Sequence, residues 1–475
     1  MTTFFKHTLL ALAVSALAGT ASGPALATGL PEDLPPYAAD KPLPVPDIAR
    51  KTLANGLEVW AVPREGIPRV DYVLAVRNAG YVADPAGAPG FAAILAGLLS
   101  EGTATRDSRA IAEFAQAQGG SVGASVSSDG ALVYGNALAA NAGPMLSLLA
   151  DIARAPAFPD SEVRLAQANA LQALKAAEAQ PGFRANRALL SAVYGDHPYA
   201  RTQPTEASIM AVTPEVLRSE HARRFQPGRA LLVVAGRIGA DEAFALAEQA
   251  FGDWRPAAGA AAIDPPPAPR EAEAKRLLLQ RDGSVQSTLR LASPAVPATD
   301  PDAIPLQLAG TVLGGSFSSR VMQNLREDKG YTYGARAGAN SSAQGGYVSG
   351  SADVRNEVTG AALSEFFKEY ARIGSEPVPA SELDDTKRYV AGGYLIGNQM
   401  QAAVAASLAT NWLVGLPPEY LGEYVPRVRA VTAAEVQAMA AKYFAPERQS
   451  IVVVGDAAAV SGQLAEWGEF TRVED

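Results

Sequence analysis

The sequence predicts an α+β protein of two homologous α/β-sandwich lobes, each a mixed sheet with helices packed on one face, joined clam-like by a proline-rich linker. Three observations predict it: a duplicated helix–turn–strand segment, a proline-rich stretch between the copies, and short β-patterned runs alternating with long alanine-rich helical ones. The 475 residues are 48% hydrophobic and 19% charged, enough apolar material for more than one packed core.

The duplication is read at residues 211–236 (AVTPEVLRSEHARRFQPGRALLVVAG) and again from Ala430 (AVTAAEVQAMAAKYFAPERQSIVVVGD). Thr213 and Thr432 stand as N-caps of amphipathic helices, because a threonine hydroxyl can accept a bond from an otherwise unpaired first-turn amide. Each helix runs into a phenylalanine and then x-Pro (Phe225 with Pro227, Phe444 with Pro446), which stops it. A fully apolar strand follows, 231–234 in one copy and 451–454 in the other, closed by a glycine. Two copies so far apart predict two halves and not a solenoid.

Between the halves lies residues 255–274, RPAAGAAAIDPPPAPREAEA, where three consecutive prolines exclude a helix or an inner strand. The predicted divisions are 28–254 for the first lobe, 255–274 for the linker and 275–475 for the second lobe. Strand patterns such as 57–62 and 133–138 alternate with helices such as 166–179, which carry no chemistry and read as packing helices.

Residues 1–27 read as a secretory signal. Lys6 supplies the charged start, residues 8–19 an apolar run too short to span a bilayer, and Ala25-Leu26-Ala27 a small-x-small cleavage site. The expectation is export to the periplasm with cleavage after Ala27 and no membrane insertion. A net charge of -9 argues against nucleic acid as a partner, and the absence of cysteine excludes thiol catalysis and thiolate metal sites.

Residues 78–103, NAGYVADPAGAPGFAAILAGLLSEGT, resemble the metal helix of the pitrilysin/insulinase family of zinc peptidases, in which a glycine-rich approach leads into His-x-x-Glu-His and ends in Gly-Thr. Histidines at i and i+4 share a helix face and bind zinc, with the glutamate beside them as base. Registered on Gly102-Thr103, the resemblance puts Ala93, Ala96 and Gly97 where His, Glu and His would stand. The third ligand, a downstream glutamate, falls on Ala173 by two routes: forward from Gly97, and back from residues 194–206 (YGDHPYARTQPTE), which also resemble the family. None of the four can ligate a metal or move a proton. Glu178 lies nearby with no histidines to complete. The expectation is that this chain binds no cofactor and that zinc belongs to a partner.

Residues 313–335, LGGSFSSRVMQNLREDKGYTYGA, resemble the family's glycine-rich turn, helix and Arg/Tyr segment, with Arg326 and Tyr333 at the matching separation. Residues 318–320 should open a helix with Val321, Met322 and Leu325 on its apolar stripe, Gly330 should end it in a left-handed cap, and 331–333 should form a strand that returns Tyr333 beside Arg326. A forked cation and a phenol suit a peptide carbonyl and its developing oxyanion. Alone, the pair would read as a surface ion pair and a strand-face tyrosine. Gly314, Gly315 and Ser316 would give backbone freedom beside a bound peptide, or simply a tight turn. Tyr331 has the wrong spacing from Arg326 for the functional tyrosine.

Two patterns mislead. Residues 119–123 match G-x-S-x-G, but that motif needs a strand entering and a helix leaving, whereas here Ser121 sits at a helix-to-strand turn. His197 and His221 could form a metal pair only if the fold brought them together with a carboxylate; otherwise they are a turn histidine and a surface helix histidine.

The resemblance implies a non-catalytic, substrate-binding subunit of a heterodimeric periplasmic zinc metalloendopeptidase. Its partner would be a homologous subunit carrying His-x-x-Glu-His, its substrate a peptide or unfolded protein. The alternative is a pseudo-peptidase acting as an assembly or peptide-binding scaffold.

Overall fold

The computed structural model describes residues 45–259 and 261–473. The leader expected at 1–27, with its cleavage after Ala27, lies outside them.

Two six-stranded mixed sheets organise the chain. The first holds β1 (Ala49–Thr52), β2 (Glu58–Pro63), β3 (Arg69–Arg77), β4 (Ser121–Val126), β5 (Gly130–Leu138) and β6 (Ala230–Gly236), in the order β1-β2-β6-β3-β5-β4. The second holds β7 (Arg276–Gln280), β8 (Gln286–Ala295), β9 (Ala335–Ser341), β10 (Gly346–Arg355), β11 (Ser450–Gly455) and β12 (Thr471–Val473), in the order β12-β7-β11-β8-β10-β9. The orders coincide strand for strand, with β2–β6 and β7–β11 parallel and the next three pairings of each sheet antiparallel. They differ only at one edge, where β1 runs antiparallel to β2 and the chain-terminal β12 runs parallel to β7.

The duplicated segment occupies the same place in both. Thr213 caps helix Pro214–Arg224 by accepting from the Val216 amide, and Thr432 caps Ala433–Tyr443 through a reciprocal box with Glu435. Phe225 and Phe444 end the helices, and each chain then enters a strand buried along its whole length, β6 or β11.

Helices cover both faces of each sheet, not the one face the sequence predicts. One face packs on helices of its own half around residues such as Tyr72, Leu149 and Phe251, or Phe366, Tyr370 and Phe444. The other face takes a helix from the opposite half. Pro181–Tyr194 lays Ala185, Leu189 and Val193 on Ala292, Val452 and Val454 of the second sheet. Gln401–Leu413 lays Val404, Leu408 and Trp412 on Trp60, Val73 and Val233 of the first. Strands that are apolar on both faces need this double cover, and the exchange supplies it. Burial of these apolar side chains stabilises each half by contact with the other, at about 25 cal/mol per Å².

Among the described residues, 255–274 hold no helix or strand. The Pro266 carbonyl accepts from the His197 imidazole at 2.9 Å, and the Ala268 amide donates to the Gln344 carbonyl at 2.9 Å. The tip of the β9–β10 hairpin also reaches the first half: the Ala343 amide donates to Asp129 at 3.1 Å and the Gln344 amide to the Tyr199 hydroxyl at 3.0 Å.

Candidate functional site

Helix Phe91–Leu98 is positioned by its N-terminus. The Asp84 carboxylate accepts from the Ala92 amide at 3.1 Å and from the Arg224 guanidinium at 2.8 Å; both side chains are almost wholly buried, at 1% and 0% exposure. Arg224 also bonds Glu220 at 2.8 Å and lies over the Phe91 ring at 5.0 Å. Burial pushes the Asp84 carboxyl up to about 6 against the opposing pull of Arg224.

This helix packs antiparallel to Asp160–Glu178: Gly102 sits against Pro159 at one end of the pair and Gly90 against Pro204 at the other. Ala93, Gly97 and Ala173 all line the cleft between them, of about 570 Å³. Three positions from two helices thus share one cleft. Ala96 is buried and does not line the cleft. The remaining walls include Ile94, Leu98 and Phe183, and the polar side chains Glu101, Glu162 and Asn169. Zinc needs nitrogen, sulfur or oxygen donors in a close tetrahedron, and methyl groups and a hydrogen stand where three would be. Among the described residues no group of three His, Cys, Asp or Glu is placed to hold a metal. The residues present do not fit zinc.

Neither surviving histidine of the described residues substitutes. His197 uses both ring nitrogens, Nδ1 accepting from the Tyr199 amide at 3.2 Å and Nε2 donating to Pro266. His221 is not a surface residue but is buried: it stacks on Phe225 at 4.6 Å, and its Nε2 donates to the Ala153 carbonyl at 2.9 Å. Since a carbonyl only accepts, Nε2 carries a proton, and burial pushes the imidazole down to about 4, which favours the neutral ring. Ser121 opens β4 after helix Ser108–Ala117, so the nucleophile-elbow geometry is absent there.

In the second half, Ser319 precedes helix Arg320–Met322, which widens over Gln323–Asp328 and buries Val321, Met322 and Leu325. Gly330 ends it at φ +61°, the left-handed cap expected there. Residues 331–333 form no strand, because β9 starts only at Ala335. Instead the Arg326 Nη1 donates to the Tyr333 carbonyl at 3.1 Å, which takes that backbone acceptor away from a ladder. Arg326 pairs with Glu327 at 3.1 Å and lies 4.8 Å over the Phe317 ring. The Tyr333 residue is 89% exposed, while Tyr331 packs partly buried on the second core. Arg326 and Tyr333 are therefore brought together, with the phenol turned outward and part of the five-donor fork uncommitted. Neither lines the alanine cleft, all of whose lining residues belong to the first half.

Gly314 has a packing role: a Cβ there would lie 1.8 Å from the Ala337 amide nitrogen, so only glycine lets this turn meet β9. Gly315 is exposed, and Ser316 faces a smaller polar cleft with Ser319, Glu382 and Asp385. Arg320 holds Glu382, one of the lining residues, in a two-pronged pair with both bonds at 2.8 Å. Sequence reasoning missed Asp84, Arg224, Glu101, Glu162 and Phe317. Asp84 and Glu101 lie within 78–103, Phe317 within 313–335 and Arg224 within the duplicated segment, so those motifs could have drawn attention to them; Glu162 lies outside every motif.

Two six-stranded sheets of matching strand order and an alanine-lined cleft between two helices define the architecture. Residues 69–204 match the family model described as Insulinase (Peptidase family M16), and residues 211–390 the one described as Peptidase M16 inactive domain. An uncharacterized zinc protease of Mycobacterium leprae is 25% identical over 397 residues, covering 83% of this chain and 88% of its own. One from Bacillus subtilis is 26% identical, covering 75% and 86%. A solved Pseudomonas fluorescens structure described as a peptidase M16 inactive domain superposes with TM-score 0.81 at 27% identity, covering 86% of this chain and 98% of its own. A Helicobacter pylori protease shares the fold, with TM-score 0.80 at 20% identity, covering 86% and 100%. The chain belongs to the M16, or insulinase, peptidase family, as a non-catalytic member.

Proposed function

We propose that this chain is the substrate-binding subunit of a heterodimeric periplasmic zinc metalloendopeptidase, in which Arg326 and Tyr333 orient the peptide and stabilise the oxyanion. A homologous subunit carrying His-x-x-Glu-His supplies zinc and the general base. The observation that carries this reading is the exposed Tyr333 held by Arg326 on a chain whose own ligand positions are Ala93, Gly97 and Ala173. A phenol 89% exposed and gripped only through its carbonyl is available to a ligand brought by another chain. Gly314 shapes the turn that precedes this segment, and Gly315 and Ser316 extend the same surface toward the substrate.

The test is steady-state kinetics of the complex reconstituted with the zinc-bearing subunit. Tyr333→Phe removes one phenol donor and should lower turnover by about 100- to 1,000-fold with assembly intact by gel filtration. Arg326→Ala should lower turnover and raise KM, while Tyr331→Phe should change little. A scaffold role is the second reading, favoured by the Arg326–Glu327 pair at 3.1 Å, which already engages the guanidinium. Turnover within about twofold for Tyr333→Phe in an intact complex would establish the scaffold instead.

A further inference from the structure

We infer that the emptied cleft of the first half is itself a peptide site, taking an apolar side chain between its two helices and the adjoining lysine or arginine of the same peptide at Glu101 and Glu162. The inference rests on the reading of this chain as a peptide-binding subunit, but it uses a surface that contains neither Arg326 nor Tyr333.

The cleft's volume of about 570 Å³ lies within the range of ligand pockets and exceeds what a single large side chain fills. Its floor is built of small residues: Ala93 and Gly97 on one helix face Ala166, Ala170 and Ala173 on the other. Where a metal site would set three polar side chains into this space, alanine and glycine leave an apolar slot. Leu98 and Leu174, both buried, back it. An apolar side chain entering the slot leaves water at about 25 cal/mol per Å² of its surface.

The two ends of the slot differ in charge. Glu101 lies just past the C-terminal end of Phe91–Leu98, where the helix dipole is negative, and Glu162 lies in the first turn of Asp160–Glu178. Among the described residues neither carboxylate has a basic partner: Arg106 pairs with Asp151, and Arg109, which borders the recess beyond Glu101, pairs with Glu113. Burial, and then the charge of Glu162, raise the Glu101 carboxyl above its usual range. Two unneutralised acids at one end of an apolar slot favour a cation delivered beside an apolar group. An extended peptide places a side chain at the slot and its neighbour at the rim, so an apolar–basic dipeptide within an unfolded segment meets both features. The far end, at Phe183 and Pro204, offers no charge and sets the direction of the peptide.

The test is fluorescence anisotropy of the purified chain alone, with a labelled six-residue peptide carrying a central Leu-Arg. The peptide should bind, and its Leu→Ser and Arg→Glu forms should bind at least about tenfold more weakly. Gly97→Leu fills the slot without straining the fold, because a Cβ there meets nothing within 4 Å. It should abolish binding at unchanged melting temperature, and Ala173→Leu, from the opposite wall, should do the same. Glu101→Gln with Glu162→Gln should erase the preference for Arg over Glu while retaining the preference for Leu. Equal binding by wild type and the folded Gly97→Leu and Ala173→Leu variants overturns the inference. So does a wild-type dimer that Gly97→Leu converts to monomer without any peptide effect, which would make the occupant a second copy. The role of Arg326 and Tyr333 is read in turnover of the complex, so the two proposals fail separately.

Discussion

The two halves carry a cleft at the same place and fill it with opposite chemistry. In the first, helices Phe91–Leu98 and Asp160–Glu178 bound about 570 Å³ walled by alanine, leucine and isoleucine. In the second, the helical segment Thr311–Gly315 and helix Ala380–Gly397 bound about 330 Å³ walled by Ser316, Ser319, Ser381, Glu382, Asp385 and Thr386. Both clefts lie between the helical segment that follows the strand in fourth place in the sheet order, β3 or β8, and the second long helix after β5 or β10. The sheets coincide in order, so the scaffold does not depend on what lines the cleft. Only the lining residues decide whether a site binds metal, an apolar chain or polar groups. Duplication has separated the two properties within one molecule.

The sharpest way to break this comparison is to place metal ligands in the first cleft. If the cleft geometry is independent of its lining, Ala93→His, Gly97→His and Ala173→Glu together should create a zinc site tighter than about 1 µM, because three positions already converge. The unmodified chain should retain no zinc after dialysis, whereas the triple variant should retain about one equivalent by elemental analysis. A folded triple variant without zinc would mean the helices stand too far apart for ligation.

The buried ion pairs sharpen the comparison further. Arg224 and Asp84 are 0% and 1% exposed and hold the first cleft's helix, whereas Arg320 and Glu382 are 6% and 33% exposed and their pairing holds Glu382 in the wall of the second. Asp84→Asn leaves a fully buried guanidinium paired with Glu220 alone and should cost about 2–4 kcal/mol in denaturant unfolding. Glu382→Gln leaves a pair with solvent beside it and should cost about 1–2 kcal/mol, since water screens what remains. Equal losses would mean that the two clefts are held in the same way after all.

What the chain revealed in advance was whatever depends on local pattern. Thr213 and Thr432, the Phe-x-Pro stops and the two fully apolar strands follow from capping, proline sterics and burial, and all are legible one segment at a time. The register on Gly102-Thr103 names Ala93 and Gly97, and these two line one cleft together with Ala173. The exchange of helices Pro181–Tyr194 and Gln401–Leu413 was not, since an apolar stripe says that a face is covered but not by which half. The strand expected at 331–333 failed because the β-propensity of Tyr-Thr-Tyr was overridden by Arg326 holding the Tyr333 carbonyl. Glu101 and Glu162 are far apart in the chain and meet only through the antiparallel helices.

His221 offers a subtler contrast, because the duplicated segment sets Ala440 at its position in the second half. The imidazole looked like a surface group on a helix, yet Phe225, Phe158 and the Ala153 carbonyl enclose it. Its folded pKa, lowered by burial to about 4, lies below the ordinary 6.5, so the native state binds the proton less readily than the unfolded chain. Its stabilising effect is fully present above about pH 6.5, declines as the pH falls and levels off below about 4. A shift of that size corresponds to about 3 kcal/mol at the acid limit. Comparing wild type with His221→Gln by denaturant unfolding from pH 8 to pH 4 isolates this contribution from the carboxylates, which titrate in both. The variant, which loses ring stacking, should be less stable at pH 8, and the gap should narrow by a large part of that 3 kcal/mol as the pH falls to 4. Ala440→Gly in the second half should lower stability equally at every pH. A gap for His221→Gln that stays constant across the range would show that the histidine takes up its proton as readily in the fold as in the unfolded chain, and that its burial carries no pH dependence.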